Sequence, residues 1–203
     1  MKKTNFLVSI IVIFSFISCS NNNDASCGSV LEPINNEFTY NCNSYHTENG
    51  RLNISPTVMA EGTTPCMIEF INDPYSDFVL QVGDKNINLV RLWLTVPVEA
   101  YYNNEIPEGQ YKLKTLNSEV NEQYEAMDIA NTGQIVINGK MITGYTGTPI
   151  FHSAGLVTSD FDDVIVDVDK TDDVYTVQYY VKKGSKEFKG RFVGVLPVVH
   201  NWN

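Results

Sequence analysis

Lys85–Val96, KNINLVRLWLTV, decides the fold. Val90, Leu92, Leu94 and Val96 recur with a period of two, and Leu89, Arg91, Trp93 and Thr95 fill the alternate positions. Successive side chains of a strand point to opposite faces, so this alternation predicts a strand. Leu and Trp among the alternate positions imply that the second face is partly covered as well, which places the strand centrally in its sheet.

The same reading extends outward. Strand signals dominate from Tyr40 to the end of the chain. Ile106-Pro107-Glu108-Gly109 reads as a turn, followed by a strand over Gln110–Lys114. Gly133–Ile137 and Lys140–Thr143 flank Asn138-Gly139, a dipeptide that tolerates positive φ at both central positions of a type I′ hairpin turn. The C-terminal third reads as a meander: Val164–Asp169, a turn at Lys170–Asp173, Val174–Val181, a Gly184-Ser185 turn, and a return over Lys186–Val199. Ser118–Met127 is the best helix candidate, at one or two turns. Short strands with turn signals about every eight to twelve residues predict an all-β fold, an antiparallel β-sandwich or a lipocalin-like β-barrel.

The N-terminus has another purpose. Met1-Lys2-Lys3 precedes an apolar run from Phe6 to Ile17, the layout of a signal peptide. The run is shorter than the roughly 20 apolar residues of a spanning helix. It ends at Phe16-Ile17-Ser18-Cys19, which resembles the lipobox of bacterial lipoproteins; the resemblance implies lipidation of Cys19, which becomes the first mature residue. Phe16 and Ser18 depart from the commonest pattern, and the alternative is an ordinary secretory signal with Cys19 an incidental thiol. Ser20-Asn21-Asn22-Asn23-Asp24-Ala25-Ser26 has nothing to bury and reads as a flexible tether. Position 20 is not the Asp of the enterobacterial inner-membrane retention pattern, and the polar tract resembles the surface-export signals of Bacteroidota lipoproteins. The organisation expected is therefore a signal peptide at 1–18, a lipidated cysteine and tether at 19–28, and one all-β domain at 29–203. The location implied is the outer membrane, on its periplasmic or cell-surface face.

Further motifs resemble a large group of uncharacterised Bacteroidota lipoproteins with β-sandwich or lipocalin-like domains. They are Ile106-Pro107-x-Gly109-x-Tyr111, Val174-Tyr175-Thr176-Val177, Gly184-Ser185-Lys186 and Lys189-Gly190-Arg191-Phe192-x-Gly194. These are strand-and-turn patterns, and the resemblance carries no catalytic residue.

Loss of residues 1–18 removes two lysines and no acids, leaving 12 basic against 24 acidic side chains, a formal charge of −12. That balance argues against nucleic acid or anionic lipid as a partner, since both depend on clustered Lys and Arg. With Cys19 acylated, three cysteines remain. Cys42 and Cys66 lie within the domain and are the expected disulfide, with Cys27 at the end of the tether free or pairing instead. The spacings fit no zinc pattern.

No nucleophile elbow, metalloprotease helix, P-loop or dinucleotide fingerprint occurs. His46, His152 and His200 are isolated in sequence and read as surface or packed imidazoles. Asp167 and Asp169, in the acid-rich stretch from Asp160 to Asp173, point to one side of a strand and are the candidate calcium ligands. The EF-hand glycine and terminal glutamate are missing, and a solvated strand face accounts for the same residues. Lys182, Lys183, Lys186, Lys189 and Arg191 form a basic hairpin that either meets an anionic glycan or lipopolysaccharide or guards an exposed strand edge.

Among the aromatics Tyr75, Trp93, Tyr101, Tyr102, Tyr179, Tyr180 and Trp202, the pair Tyr101-Tyr102 precedes Asn103-Asn104 in a loop-like context. Flat rings stack on sugar faces, and Tyr-rich loops suit binding surfaces. Tyr101, Tyr102, Asn103 and Asn104 are thus the expected ligand contacts of a non-enzymatic binding or accessory lipoprotein for a glycan or an envelope protein, needing no cofactor. The alternative is a lipocalin-like carrier with an apolar cavity for a small ligand.

Overall fold

Turn residues at positive φ set several of the strand boundaries. Asn41 and Cys42 (φ 48° and 64°), Asn138 and Gly139 (49° and 72°), Asp172 (54°) and Gly184 (59°) each stand in a two-residue connection between paired strands. The computed structural model describes residues 33–59, 62–73, 86–114, 123–129, 133–144 and 161–199. The hairpin β1 (Glu37–Tyr40) and β2 (Asn43–His46) comes first, then β3 (Asn49–Ile54), β4 (Thr63–Ile71) and β5 (Leu89–Pro97). A helical turn, α1 (Glu99–Asn103), leads to β6 (Gly109–Leu113), β7 (Asp128–Ile129) and the hairpin β8 (Gln134–Ile137) and β9 (Lys140–Gly144). The last strands are β10 (Asp163–Thr171), β11 (Val174–Lys183), β12 (Lys186–Gly194) and β13 (Val198–Val199).

These strands make the all-β fold expected, as one sheet curled into a half-barrel. Its order is β13-β3-β4-β5-β7-β6-β10-β11-β12-β1-β2, with β8 also paired to β5 and β9 to β8. All pairings are antiparallel except β13 on β3 and β6 beside β7, so the sheet is mixed.

Alternation works as the sequence implies. Val90, Leu92, Leu94 and Val96 of β5 join the main core, which also takes Val164, Val166 and Val168 from β10, Tyr175, Val177, Tyr179 and Val181 from β11, and Phe188 and Phe192 from β12. Inside the curl the rings of Phe70 and Tyr179 stack at 5.3 Å between centroids, and those of Phe70 and Phe192 at 5.0 Å. Glycines make room for these rings: a Cβ on Gly190 would overlap the Tyr179 ring, and one on Gly50 would stand 2.6 Å from Phe192 Cζ.

The other face of β3, β4, β5 and β8 is buried too, and it carries charge. Arg51, Glu69, Arg91 and Gln134 are register partners across four adjacent strands. Directly opposed side chains lie within contact distance, so the four form a row. Arg51 Nη2 pairs with Glu69 Oε1, Arg91 Nε donates to Glu69 Oε2 at 2.6 Å, and Arg91 Nη1 donates to Gln134 Oε1 at 2.6 Å. The Glu69 side chain is 1% exposed, which burial tolerates only because two guanidinium groups meet its carboxylate. Trp93 and Met67 pack beside this row with Tyr124 against them.

Two expectations need correction. The helix candidate Ser118–Met127 has residues 118–122 outside the described set, and Gln123–Met127 is not helical. A turn forms instead, closed by Asp128 N donating to Glu125 O at 3.2 Å and Glu125 N donating to Asp128 Oδ2 at 2.7 Å, with Met127 at φ 74°. The disulfide between Cys42 and Cys66 does not form: Cys66 is a free thiol with no exposed surface, while Cys42 is disulfide-bonded at the β1–β2 turn. Alternation along β4 turns Cys66 inward with Thr64, Ile68 and Phe70, into the core. The partner of Cys42 lies outside the described residues.

Candidate functional site

Pro97 ends β5, and Val98 N donates to Gly62 O at 2.8 Å, turning the chain across the end of the sheet. Glu99 stands in the first turn of α1, and the buried Ala100 pins the turn to the core. Asn104 adopts the left-handed conformation (φ 57°) and its N–H closes on Ala100 O. Asn is among the few non-glycine residues that take this C-terminal cap readily. Tyr101-Tyr102-Asn103 is therefore a short helical turn and not the irregular loop its composition implies.

Adjacent residues on such a turn cannot share one face. Tyr101 is half-buried against the main core, and Tyr102 is 72% exposed. Their rings meet edge to face, with centroids 5.5 Å apart and planes at 81°. The exposed ring thus has a fixed support. Asn103 and Asn104 are exposed beside it.

The segment from α1 to β6 is held by β10. Lys170 Nζ pairs with Glu105 Oε2 at 2.5 Å and sits 5.2 Å from the centroid of the Tyr175 ring. Lys170 N donates to Glu108 Oε1 at 2.6 Å, and Tyr111 OH donates to Pro107 O at 2.9 Å. The hydrogen bond to Glu105 raises the Lys170 ammonium above its ordinary pKa, and burial raises the Tyr175 phenol. Glu105 and Glu108 thus both bond Lys170, while Glu99 stands in α1 and Asp172 and Asp173 form the β10–β11 turn.

The remaining sequence-predicted residues divide as follows. Asp167 and Asp169 do share the outer face of β10, but Asp167 accepts from Gln110 Nε2 at 2.8 Å, and among the described residues no three His, Cys, Asp or Glu side chains are placed to hold a metal ion. His46 is exposed and pairs with the buried Glu37 at 3.0 Å. Tyr179 belongs to the core, and Tyr180 OH donates to Glu187 Oε1 at 3.2 Å on the outer face. Cys19, Cys27, Tyr75, His152, His200 and Trp202 lie outside the described residues.

The basic hairpin is β11 and β12, and neither is an edge strand: β11 lies between β10 and β12, and β12 between β11 and β1. Protection of an edge accordingly does not account for Lys182, Lys183 and Lys189. The row Arg51–Glu69–Arg91–Gln134 was not anticipated, because its members come from four separate segments of sequence. No known protein family matches the sequence, and neither does any curated protein or solved structure.

Proposed function

We propose that this protein is a lipid-anchored, non-enzymatic binding or accessory lipoprotein of the outer membrane, displaying α1 to a glycan. One observation carries the reading: Tyr102 holds 72% of its surface in solvent while Tyr101, wedged into the core, supports it edge-on. A large ring left exposed on a rigid turn is a ready platform for an apolar sugar face. Asn103, Asn104 and Glu105 stand next to it with amide and carboxylate groups for hydroxyls. The acids around Lys170 repel anionic polysaccharide, so the glycan class favoured is an uncharged one. The lipid anchor is supported by the charged start of the chain, the apolar run to Ile17, and Phe16-Ile17-Ser18-Cys19.

The carrier alternative needs an apolar cavity inside the curl. Phe70, Tyr179 and Phe192 stack there, and Gly50 and Gly190 are already crowded by rings, which weighs against it.

The test is a screen of the mature protein against uncharged glycans, followed by titration calorimetry of any ligand with wild type and Tyr102→Ala. A tyrosine anchor is worth about 2 kcal/mol, so affinity should fall roughly 30-fold, with the melting temperature unchanged. Wild-type affinity in the variant overturns the reading.

A further inference from the structure

The segment that carries Tyr102 closes on itself. Asn104 N and Glu105 N both donate to Ala100 O, the second at 3.2 Å. Tyr102 and Glu105 therefore belong to one hydrogen-bonded turn, and the left-handed bend at Asn104 fixes the path between them. Lys170 then holds the Glu105 side chain. Its Nζ pairs with Oε2 at 2.5 Å and lies 5.2 Å from the centroid of the Tyr175 ring, which is itself packed in the main core. The backbone N–H of Lys170 donates to Glu108 Oε1 at 2.6 Å. One residue of β10 thus grips the connection on both sides of Ile106-Pro107.

The Glu105 side chain is nevertheless 47% exposed, and Oε1 takes no part in the pair with Lys170. An ionised carboxylate only accepts hydrogen bonds. Oε1 is therefore an acceptor with a fixed place, beside a fixed ring, and the group that it takes is a donor. Hydrogen bonds to a charged acceptor are about twice as strong as neutral ones. A glutamate with no partner would have to give up the rotamer freedom of a long side chain on binding. Here the ion pair on Oε2 has already restricted it.

We propose that Glu105 selects the sugar that Tyr102 stacks, and that Lys170 is the residue positioning it. On the Tyr102 platform reading, on which this inference rests, the ligand class is an uncharged pyranose with a free hydroxyl at the rim of the face lying on the ring. Glu105 Oε1 accepts from that hydroxyl. The carboxylate repels a uronic acid, and a sugar whose hydroxyl is missing or methylated leaves the acceptor without its donor. A site built to hydrogen-bond a hydroxyl rejects the analogue lacking it far more strongly than an apolar surface discriminates by shape. Discrimination accordingly comes from Glu105, while the ring of Tyr102 supplies contact area. Lys170 touches no ligand and acts only by holding Oε2.

The experiment titrates the full chain, in detergent micelles, with methyl β-glucopyranoside, methyl β-galactopyranoside and methyl α-mannopyranoside and with the monodeoxy derivatives of each, read by ligand-observed NMR. For a sugar that binds, one deoxy derivative should bind about ten-fold or more weakly than its parent. In Glu105→Ala that ratio should collapse to about one, because the deoxy sugar has no bond left to lose. Lys170→Gln should lower the ratio roughly three- to five-fold by freeing the carboxylate, and Lys170→Arg, which keeps the cation, should restore it. The ratio compares two ligands on one protein, so a variant that is merely less stable does not move it. No binding of any of the three sugars, or binding unchanged in Tyr102→Ala, overturns the platform reading and this proposal together. Binding lost in Tyr102→Ala but a wild-type ratio in Glu105→Ala overturns this proposal alone, and a wild-type ratio in Lys170→Gln removes the positioning role of Lys170.

Discussion

Glu69→Gln isolates the buried charge row, because the amide keeps the shape of the carboxylate and leaves no cavity. Glu69 is flanked by Arg51 and Arg91 in register, with side-chain exposures of 1%, 5% and 16% respectively. Removing its charge leaves two guanidinium groups on one buried stretch of sheet with no anion between them. Breaking a buried pair on one side costs about 3–5 kcal/mol. For a domain of this size each kcal/mol moves the melting temperature about 2–4 °C, so the variant should melt roughly 6–20 °C lower. Urea denaturation of the mature domain supplies the free energy directly, with a lower midpoint at an unchanged slope. The companion variant R51M/E69L/R91M removes every charge in the row and should recover most of the loss, since an apolar replacement has no ion to desolvate. A Glu69→Gln protein within about 1 kcal/mol of wild type would refute the reasoning, and so would a triple variant no better than the single one.

The core and the titrating groups give further tests. Gly190→Ala drives a methyl into the Tyr179 ring, and overpacking of this kind should cost about 1–3 kcal/mol by urea denaturation. Cys66→Ser places a hydroxyl among Ile68, Leu94 and their neighbours; it should lose about 1–3 kcal/mol, and the wild-type thiol should resist alkylation until the protein unfolds. Burial pushes the Cys66 thiol and the Tyr111 and Tyr179 phenols up, so the folded state holds protons that the unfolded chain releases. Stability should therefore be lost as pH rises past about 8.5, and faster past about 10, where unfolded tyrosines ionise; urea midpoints against pH measure this, and Cys66→Ala should remove only the first fall.

The fold was legible wherever a short-range pattern had a structural cause. A period of two marked β5 because Val90, Leu92, Leu94 and Val96 face the main core while Arg91 lies on the opposite face, and Asn138-Gly139 announced its hairpin because both residues accept positive φ. The turn at Asn41-Cys42 has the same backbone but went unread, since cysteine at φ 64° is not a turn signal. Its geometry becomes intelligible when Cys42 is bonded, the cross-link helping to hold a conformation the side chain disfavours. The inward face of β4 could have been read: Thr64, Cys66, Ile68 and Phe70 alternate as plainly as β5 does.

The candidate site was legible in composition but not in geometry. Tyr-Tyr-Asn-Asn named the residues, yet Tyr102 stands exposed because Ala100 is buried, Tyr101 is half-buried against the core and Asn104 caps the turn, which depends on where β5 ends relative to the core. Tertiary neighbours were further from reach, because long intervals of sequence separate Ile142 from Lys186 and Thr39 from Lys189, and only the fold brings them together. The same topology sets the exposed ring of Tyr102 after the end of β5 and Lys182, Lys183 and Lys186 about the β11–β12 turn, two places that the overall charge does not distinguish.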